Sequence, residues 1–270
     1  MKHKLSASSL SAYLKSPRSY YWRYIARLDP IQQSVANFDQ DKLAGVLWSE
    51  FVDRFYKGTS ETDNTSLTLN EWHERTDGWV PDKQKDNITK ALESWAAEYY
   101  QRFSPDDGCR NGSEKLVENE RFIGYLDGLS PDETVIHEVK TTKKAQQLSE
   151  QLWKVQNSLQ VKLYCVLTKA KGVCIEFAWK NTPYGIFRAP VADISAEQLR
   201  RWEAELNALA DSIYALGDNP DNYPCHPDGC CITSAFMTSV CSYQTLCDMG
   251  LSDATKIGYK PKQHRETNSV

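Results

Sequence analysis

Between residues 115 and 141 the chain changes hydrophobic period. KLVENERFIGYLDGL, a turn at SPDE, and TVIHEVKTT read as two or three strands, where the preceding segments read as helices. Strand side chains alternate faces, so Glu138 and Lys140 point one way while Val139 and Val135 point the other. A tight turn across 129–134 then brings Asp127 beside Glu138. Two carboxylates side by side repel, and one takes up a proton unless a cation sits between them. Such a pair of oxygen donors suits a hard divalent ion, Mg²⁺ or Mn²⁺. Lys140 would then stand beside metal-bound water, which it can orient or hold as hydroxide. The same three residues also fit an exposed hairpin carrying an ordinary salt bridge. The next element favours the pocket: a helix predicted at about 146–169 carries Gln156, Gln160 and Tyr164 at i, i+4 and i+8, on one polar face that a solvated stripe would also explain.

The strands sit inside a longer alternation. SASSLSAYLK reads as a helix capped by Ser6 or Ser8, and Pro17 starts a turn or a second helix. Tyr20, Tyr21, Trp22 and Tyr24 fit core packing, or a platform for stacked bases. Residues 43–57 form a helix with Leu47, Phe51 and Phe55 in register. Residues 58–82 read as a polar loop, and Ile88, Leu92, Trp95 and Tyr99 mark a third helix. GVCIEFAWK and YGIFRAPV make two strands around an NTP turn. A long amphipathic helix follows, opened by Ser195 and Gln198 as a capping box. Residues 253–270 read as frayed and polar. The order predicts an α/β fold: a small mixed sheet flanked by helices, with a helical N-terminal part and a Cys-rich C-terminal tail. The expected divisions are a helical region at 1–110, the sheet-bearing core at 111–218, the tail at 219–250 and a flexible end at 251–270, all within one compact domain.

Net charge is -4 over 270 residues, which argues against a protein coated in positive charge. A local basic groove and bound metal ions remain compatible with a nucleic-acid substrate. No apolar run approaches the roughly 20 residues of a membrane helix, and MKHKLSASSLSAYLK lacks the apolar core of a signal peptide. A soluble cytoplasmic protein without membrane contact is expected. Five of the eight cysteines, Cys225, Cys230, Cys231, Cys241 and Cys247, fall close together near the C-terminus. Without an export signal such a cluster reads as a metal site, iron–sulfur or zinc, ahead of disulfides.

In combination these pieces resemble the PD-(D/E)xK nuclease superfamily, in its RecB-like branch, which includes CRISPR-adaptation nucleases and phage exonucleases. SASSLSAYLKSPRSYYWRYI is similar to the branch's N-terminal helix and tyrosine-rich stretch. GVLWSEFVDRFY is similar to a helix that begins with Gly and normally carries a metal-binding His. GYLDGL followed by VIHEVKTT resembles the Gly-x-x-Asp and Asp/Glu-x-Lys-Thr pair. QVKLY, with Gln160 and Tyr164, resembles a Gln-x-x-x-Tyr motif, and CSYQTLC resembles the last two cysteines of an iron–sulfur site. The resemblance spans residues 5–250 and implies a restriction-endonuclease-like fold. It also implies a metal-dependent DNA nuclease, an exonuclease of recombination, repair or phage DNA processing, with a helicase, recombination or CRISPR-type partner. By that resemblance Asp127 and Glu138 bind Mg²⁺ or Mn²⁺ with help from the Val139 carbonyl. Lys140 positions or deprotonates the attacking water, and Gln160 and Tyr164 hold DNA or the surroundings of the site.

Two positions depart from the pattern. Ser49 stands where the His is expected, and water, Glu50 or Glu120 would have to compensate. Ser16 stands where an N-terminal Cys is expected, so a 4Fe–4S cluster or Zn²⁺ would draw its fourth thiolate from Cys225, beside Cys230 or Cys231, Cys241 and Cys247. The departures leave a second expectation, a nuclease-like fold kept as a DNA- or partner-binding protein, and a third, an interaction protein organised around a metal-bound tail.

Overall fold

The computed structural model describes residues 3–30, 40–78, 80–106, 115–142, 148–224, 243, 246 and 259–261. The five tail cysteines lie outside the described residues, and so does the expectation of a metal site there. The chain forms two compact units, one of residues 35–204 and one of residues 1–34 with 205–270.

The unit of residues 35–204 is built on one mixed sheet. Helices α3 (Gln40–Tyr56), α4 (Glu61–Thr76) and α5 (Asp82–Arg102) precede a ribbon of β2 (Lys115–Glu118) and β3 (Ile123–Leu126). The sheet runs β4 (Gly128–Leu129), β5 (Val135–Thr142), β6 (Gly172–Trp179), β7 (Gly185–Arg188), and β8 (Ala192–Asp193) also pairs with β6. Strands β5 and β6 are parallel, and the other pairings are antiparallel. A parallel pair needs a crossover, supplied by α6 (Leu148–Gln156) and α7 (Leu159–Thr168). One face of the sheet, through Val139, Ala178 and Ile186, packs on Trp48, Phe51, Phe55, Trp95 and Tyr99 of α3 and α5. The Trp95 indole N–H also donates to the Trp179 carbonyl at 3.0 Å.

In this unit two elements differ from the sequence reading. The polar stretch 58–82 contains the helix α4, capped by Ser60, whose hydroxyl accepts from the Asp63 N–H. Its Asn64, Thr68 and Thr76 are buried. Arg54 donates to Asn64 at 2.8 Å and to Thr68 at 2.6 Å, and Asn64 donates to the Phe51 carbonyl at 2.9 Å. These residues resemble loop composition, yet they face inward because each polar atom has a partner there. The helix expected at 146–169 is broken at Asn157–Ser158. Ser158 adopts extended angles and caps α7 by accepting from the Val161 N–H.

The other unit starts with α1 (Ala7–Lys15), closed by a capping box between Ser6 and Ser9. Ser16 caps the short α2 (Pro17–Tyr20), accepting from the Ser19 N–H, so the expected cysteine position serves as a helix cap. A π-helical turn at Tyr21–Ile25 leads to β1 (Leu28–Pro30), which pairs antiparallel with β9 (Tyr259–Pro261). Part of the stretch expected to be frayed is therefore strand. Trp22 packs with Tyr243 and Leu246. Helix α8 (Ala196–Leu216) passes through the boundary between the units, and in this one Leu206, Ala210 and Ile213 are its buried positions.

Candidate active site

The hairpin from β4 to β5 sets the site. Gly128 pairs with His137 and Leu129 with Ile136, so continuing the register places Asp127 opposite Glu138. The ladder stops there. Past its end, the Val139 N–H donates to Asp127 Oδ2 at 2.9 Å. At the other end Ser130 N–H donates to the Val135 carbonyl. Residues 135, 137 and 139 thus turn their backbone groups to this edge, and in an antiparallel pairing a residue presents N–H and C=O to the same neighbour. The Val139 carbonyl therefore shares the edge with Asp127. On the helical side, Ser49 of α3 donates to Asp127 Oδ1 at 3.3 Å.

Glu138 and Lys140 share the opposite face, as strand alternation requires. Glu138 is fully buried, the Lys140 side chain is one-third exposed (33%), and the two are ion-paired. Burial works to discharge Lys140, but the negative charges of Glu138 and then Asp127 more than offset it and raise its pKa. Helix α7 covers this face. Gln160 Oε1 accepts from Lys140 at 3.3 Å, and Gln160 Nε2 donates to the Tyr164 hydroxyl at 3.2 Å. Burial, then the charge of Glu138, raises the Tyr164 pKa. Its ring lies on Gly124 of β3: a Cβ there would meet Tyr164 Cε1 at 2.5 Å. The glycine of the Gly-x-x-Asp motif is thus a seat for the tyrosine of Gln-x-x-x-Tyr. Both were visible in the sequence, but their contact was not.

The structure brings together Asp127, Glu138, Val139, Lys140, Gln160 and Tyr164. It does not bring Glu120 to them. Glu120 is exposed on the β2–β3 turn, seven residues before Asp127, and a strand advances roughly 3.3 Å per residue. Glu50 turns instead to Glu71 of α4; burial and then that neighbour's charge raise its pKa. Gln156 ends α6 and does not continue the stripe of Gln160 and Tyr164. Ser49, expected only as a lost ligand, is the residue sequence reasoning missed, since its hydroxyl now anchors Asp127.

Among the described residues no set of three or more His, Cys, Asp or Glu converges on a metal position. The donors present are two carboxylates and a main-chain carbonyl, all oxygen, with an ammonium balancing the buried charge. This fits a hard divalent ion that completes its shell with water and substrate oxygens, as Mg²⁺ does.

The sequence profile of the PD-(D/E)XK nuclease superfamily matches residues 4–248. The chain belongs to this superfamily, and with it to the nucleases that hydrolyse phosphodiester bonds of DNA. Such nucleases typically use divalent metals. No curated protein matches the sequence significantly. Among solved structures, a candidate exonuclease from Eubacterium rectale is similar at 12% identity and a TM-score of 0.48, over 92% of this chain and 94% of its own. A phage-related exonuclease from Haemophilus somnus 129PT is similar at 10% identity and a TM-score of 0.39, over 80% of this chain and 96% of its own. The assignment rests on the profile match. Among the described residues no helix is long and apolar enough to cross a membrane.

Proposed function

We propose that the chain is a Mg²⁺- or Mn²⁺-dependent DNA exonuclease of the cytoplasm whose reaction takes place at Asp127, Glu138 and Lys140. The observation that carries the reading is the pairing of Asp127, held on both carboxylate oxygens by Ser49 and Val139, with the buried Glu138–Lys140 pair. Asp127, Glu138 and the Val139 carbonyl would hold the metal, which when bound supplies Lewis-acid charge and a water of lowered pKa. The chain's residues do the rest. Ser49 and the Val139 N–H fix the Asp127 carboxylate before substrate arrives, so no reorganisation is needed during reaction. Lys140, aimed by Gln160, presents an ammonium that can orient the attacking water and donate to a phosphate oxygen. Tyr164, seated on Gly124, keeps Gln160 in place. Processing of DNA in recombination, repair or phage replication, beside a helicase, recombination or CRISPR-type partner, is the setting that the sequence resemblance suggests.

We extend the reading to the tail, where Cys225, Cys230 or Cys231, Cys241 and Cys247 would supply four thiolates to iron–sulfur or zinc. Anaerobically purified protein containing neither metal ends that part. For the reaction, labelled linear and covalently closed circular DNA are incubated with Mn²⁺ or Mg²⁺. Linear DNA should be degraded, the circle spared, and Lys140→Ala and Asp127→Asn should be inactive. Cleavage of the circle overturns the exonuclease assignment, and activity surviving in Lys140→Ala overturns the site.

A further inference from the structure

The unit of residues 1–34 and 205–270 contains a cavity of about 380 Å³ that the nuclease reading does not use. It is within the range of small-molecule sites, about 300–1,000 Å³. Its aromatic walls are held in advance. Tyr20, fully buried and bonded to His3 Nε2 at 2.7 Å, stacks on Tyr24 with ring centroids 5.4 Å apart and on Tyr223 with centroids 6.1 Å apart. Tyr24 and Tyr223 both line the cavity, as does Tyr214, whose hydroxyl donates to the His3 carbonyl at 3.0 Å. Tyr223 is buried against Tyr20 and Tyr21 and closes the wall, so the rings a flat ligand can reach are the half-buried Tyr24 and Tyr214, already held by their neighbours and losing little freedom on binding.

Among the described residues the polar lining has two characters. Gly217, at φ +64, ends α8 at the cavity, and its carbonyl accepts from the Tyr223 hydroxyl at 2.8 Å. The helix C-terminus carries partial negative charge, and the Asp218 carboxylate adds to it. Arg27 supplies the opposite sign. It adopts φ +54, a left-handed conformation that is uncommon outside glycine, and lines the same cavity. His3 is kept neutral near pH 7, its pKa lowered by burial and then by Arg27. A simple anion would meet Asp218 and the helix end, and a simple amine would meet Arg27. The lining suits a flat ring with N–H donors joined to an anionic group.

We propose that this cavity binds a purine nucleotide, with guanine preferred: the base packs against the half-buried rings of Tyr24 and Tyr214, Asp218 accepts from its ring N–H and amino groups, and Arg27 holds the phosphate. Guanine offers a carboxylate two adjacent donors, whereas cytosine and adenine offer only an amino group. The nucleotide is either a free monophosphate or the phosphorylated terminus of a DNA strand. This binding does not depend on turnover at Asp127 and Glu138, so its failure and that of the nuclease reading are separable.

The test uses the full chain in calorimetric titrations with dGMP, dCMP and deoxyguanosine, without divalent metal. We expect dGMP to bind at least about tenfold more tightly than dCMP, the order of discrimination a hydrogen-bonding site achieves. Arg27→Ala should weaken dGMP by about tenfold or more and leave deoxyguanosine unchanged, as loss of a charge-assisted phosphate contact would. Asp218→Asn should erase the preference for guanine. Both substituted side chains are exposed, which keeps folding out of the comparison. Lys140→Ala should bind dGMP as the parent does. Competition by an oligonucleotide with a phosphorylated terminal dG, stronger than dGMP itself, identifies the strand terminus as ligand; competition no better than the same oligonucleotide without phosphate identifies the free nucleotide. Equal binding of dGMP and dCMP, binding indifferent to Arg27→Ala, binding lost in Lys140→Ala, or no binding at all overturns the proposal.

Discussion

The sheet of residues 35–204 carries a glutamate–cation pair on each face, and the two are finished differently. On the face packed against α3 and α5, Glu176 of β6 lies directly across from Arg188 of β7. Arg188 Nε donates to one carboxylate oxygen at 3.1 Å, and the Tyr99 hydroxyl donates to the other at 2.8 Å. Arg188 also donates to the Tyr56 and Tyr99 hydroxyls, and its guanidinium lies 3.7 Å from the Phe103 ring centroid. Burial followed by Glu176 drives the Tyr99 pKa well up. On the other face, Glu138 is as deeply buried, but its partner Lys140 reaches solvent and a second carboxylate stands beside it. A closed pair saturates its acceptors with neutral and cationic donors. An open one concentrates negative charge next to a partly exposed cation, an arrangement that costs stability and suits ion capture.

The difference can be broken from either side. The largest effect is expected at the open pair: Lys140→Ala should reduce DNA cleavage by on the order of 10²–10⁴-fold, as loss of a proton-handling or charge-donating group does, with a smaller fall in the urea midpoint than at Arg188 because Lys140 is the more exposed cation. Next, Arg188→Leu should leave an uncompensated carboxylate in the interior and cost about 3–5 kcal/mol of stability. Removing both partners, Glu176→Leu with Arg188→Leu, should recover much of that loss. Chemical denaturation of the four proteins measures both. If Lys140→Ala unfolds the chain while Arg188→Leu mainly reduces turnover, the two faces have been assigned the wrong way round.

The open pair was legible in the sequence and the closed one was not. Asp127, Glu138 and Lys140 are linked by rules that need no partner elsewhere: alternation along β5 and a turn short enough to fix register. The Glu176–Arg188 pair needs the β6–β7 register and Tyr99 from α5, neither of which a local pattern carries. Helix α4 was hidden for a related reason. Its Asn64 and Thr68 look like loop residues until Arg54 is seen to satisfy them. The break between α6 and α7 was masked because apolar spacing continues through Asn157–Ser158 while the cap geometry does not.

The third effect tests a contact that joins two motifs. Gly124→Val would drive a branched side chain into the Tyr164 ring, which already would meet a bare Cβ at 2.5 Å. We expect about 1–3 kcal/mol of destabilisation from overpacking, together with reduced cleavage, because Tyr164 displaced from β3 no longer positions Gln160. Gly124→Val combined with Tyr164→Ala should recover stability by making room, but not cleavage. Recovery of both would mean that Gly124 serves packing alone.

The smallest effect is expected at Ser49. Its hydroxyl donates to Asp127 at 3.3 Å, a long hydrogen bond, while the Val139 N–H holds the other oxygen at 2.9 Å. Removing the weaker of two anchors leaves the carboxylate in place but freer to turn. Ser49→Ala should therefore lower cleavage by about tenfold, the lower end of what orienting partners of metal ligands contribute, and raise the Mn²⁺ concentration needed for half-maximal rate. The closed pair offers the control: Tyr99→Phe removes a donor to Glu176 and should lower stability without shifting the Mn²⁺ requirement. A nitrogen at position 49 would be nearer to a ligand than to an anchor, so Ser49→His should lower the Mn²⁺ requirement where Ser49→Ala raises it. Parent, Ser49→Ala and Ser49→His sharing one Mn²⁺ dependence would show that α3 contributes packing and nothing to the carboxylate it touches.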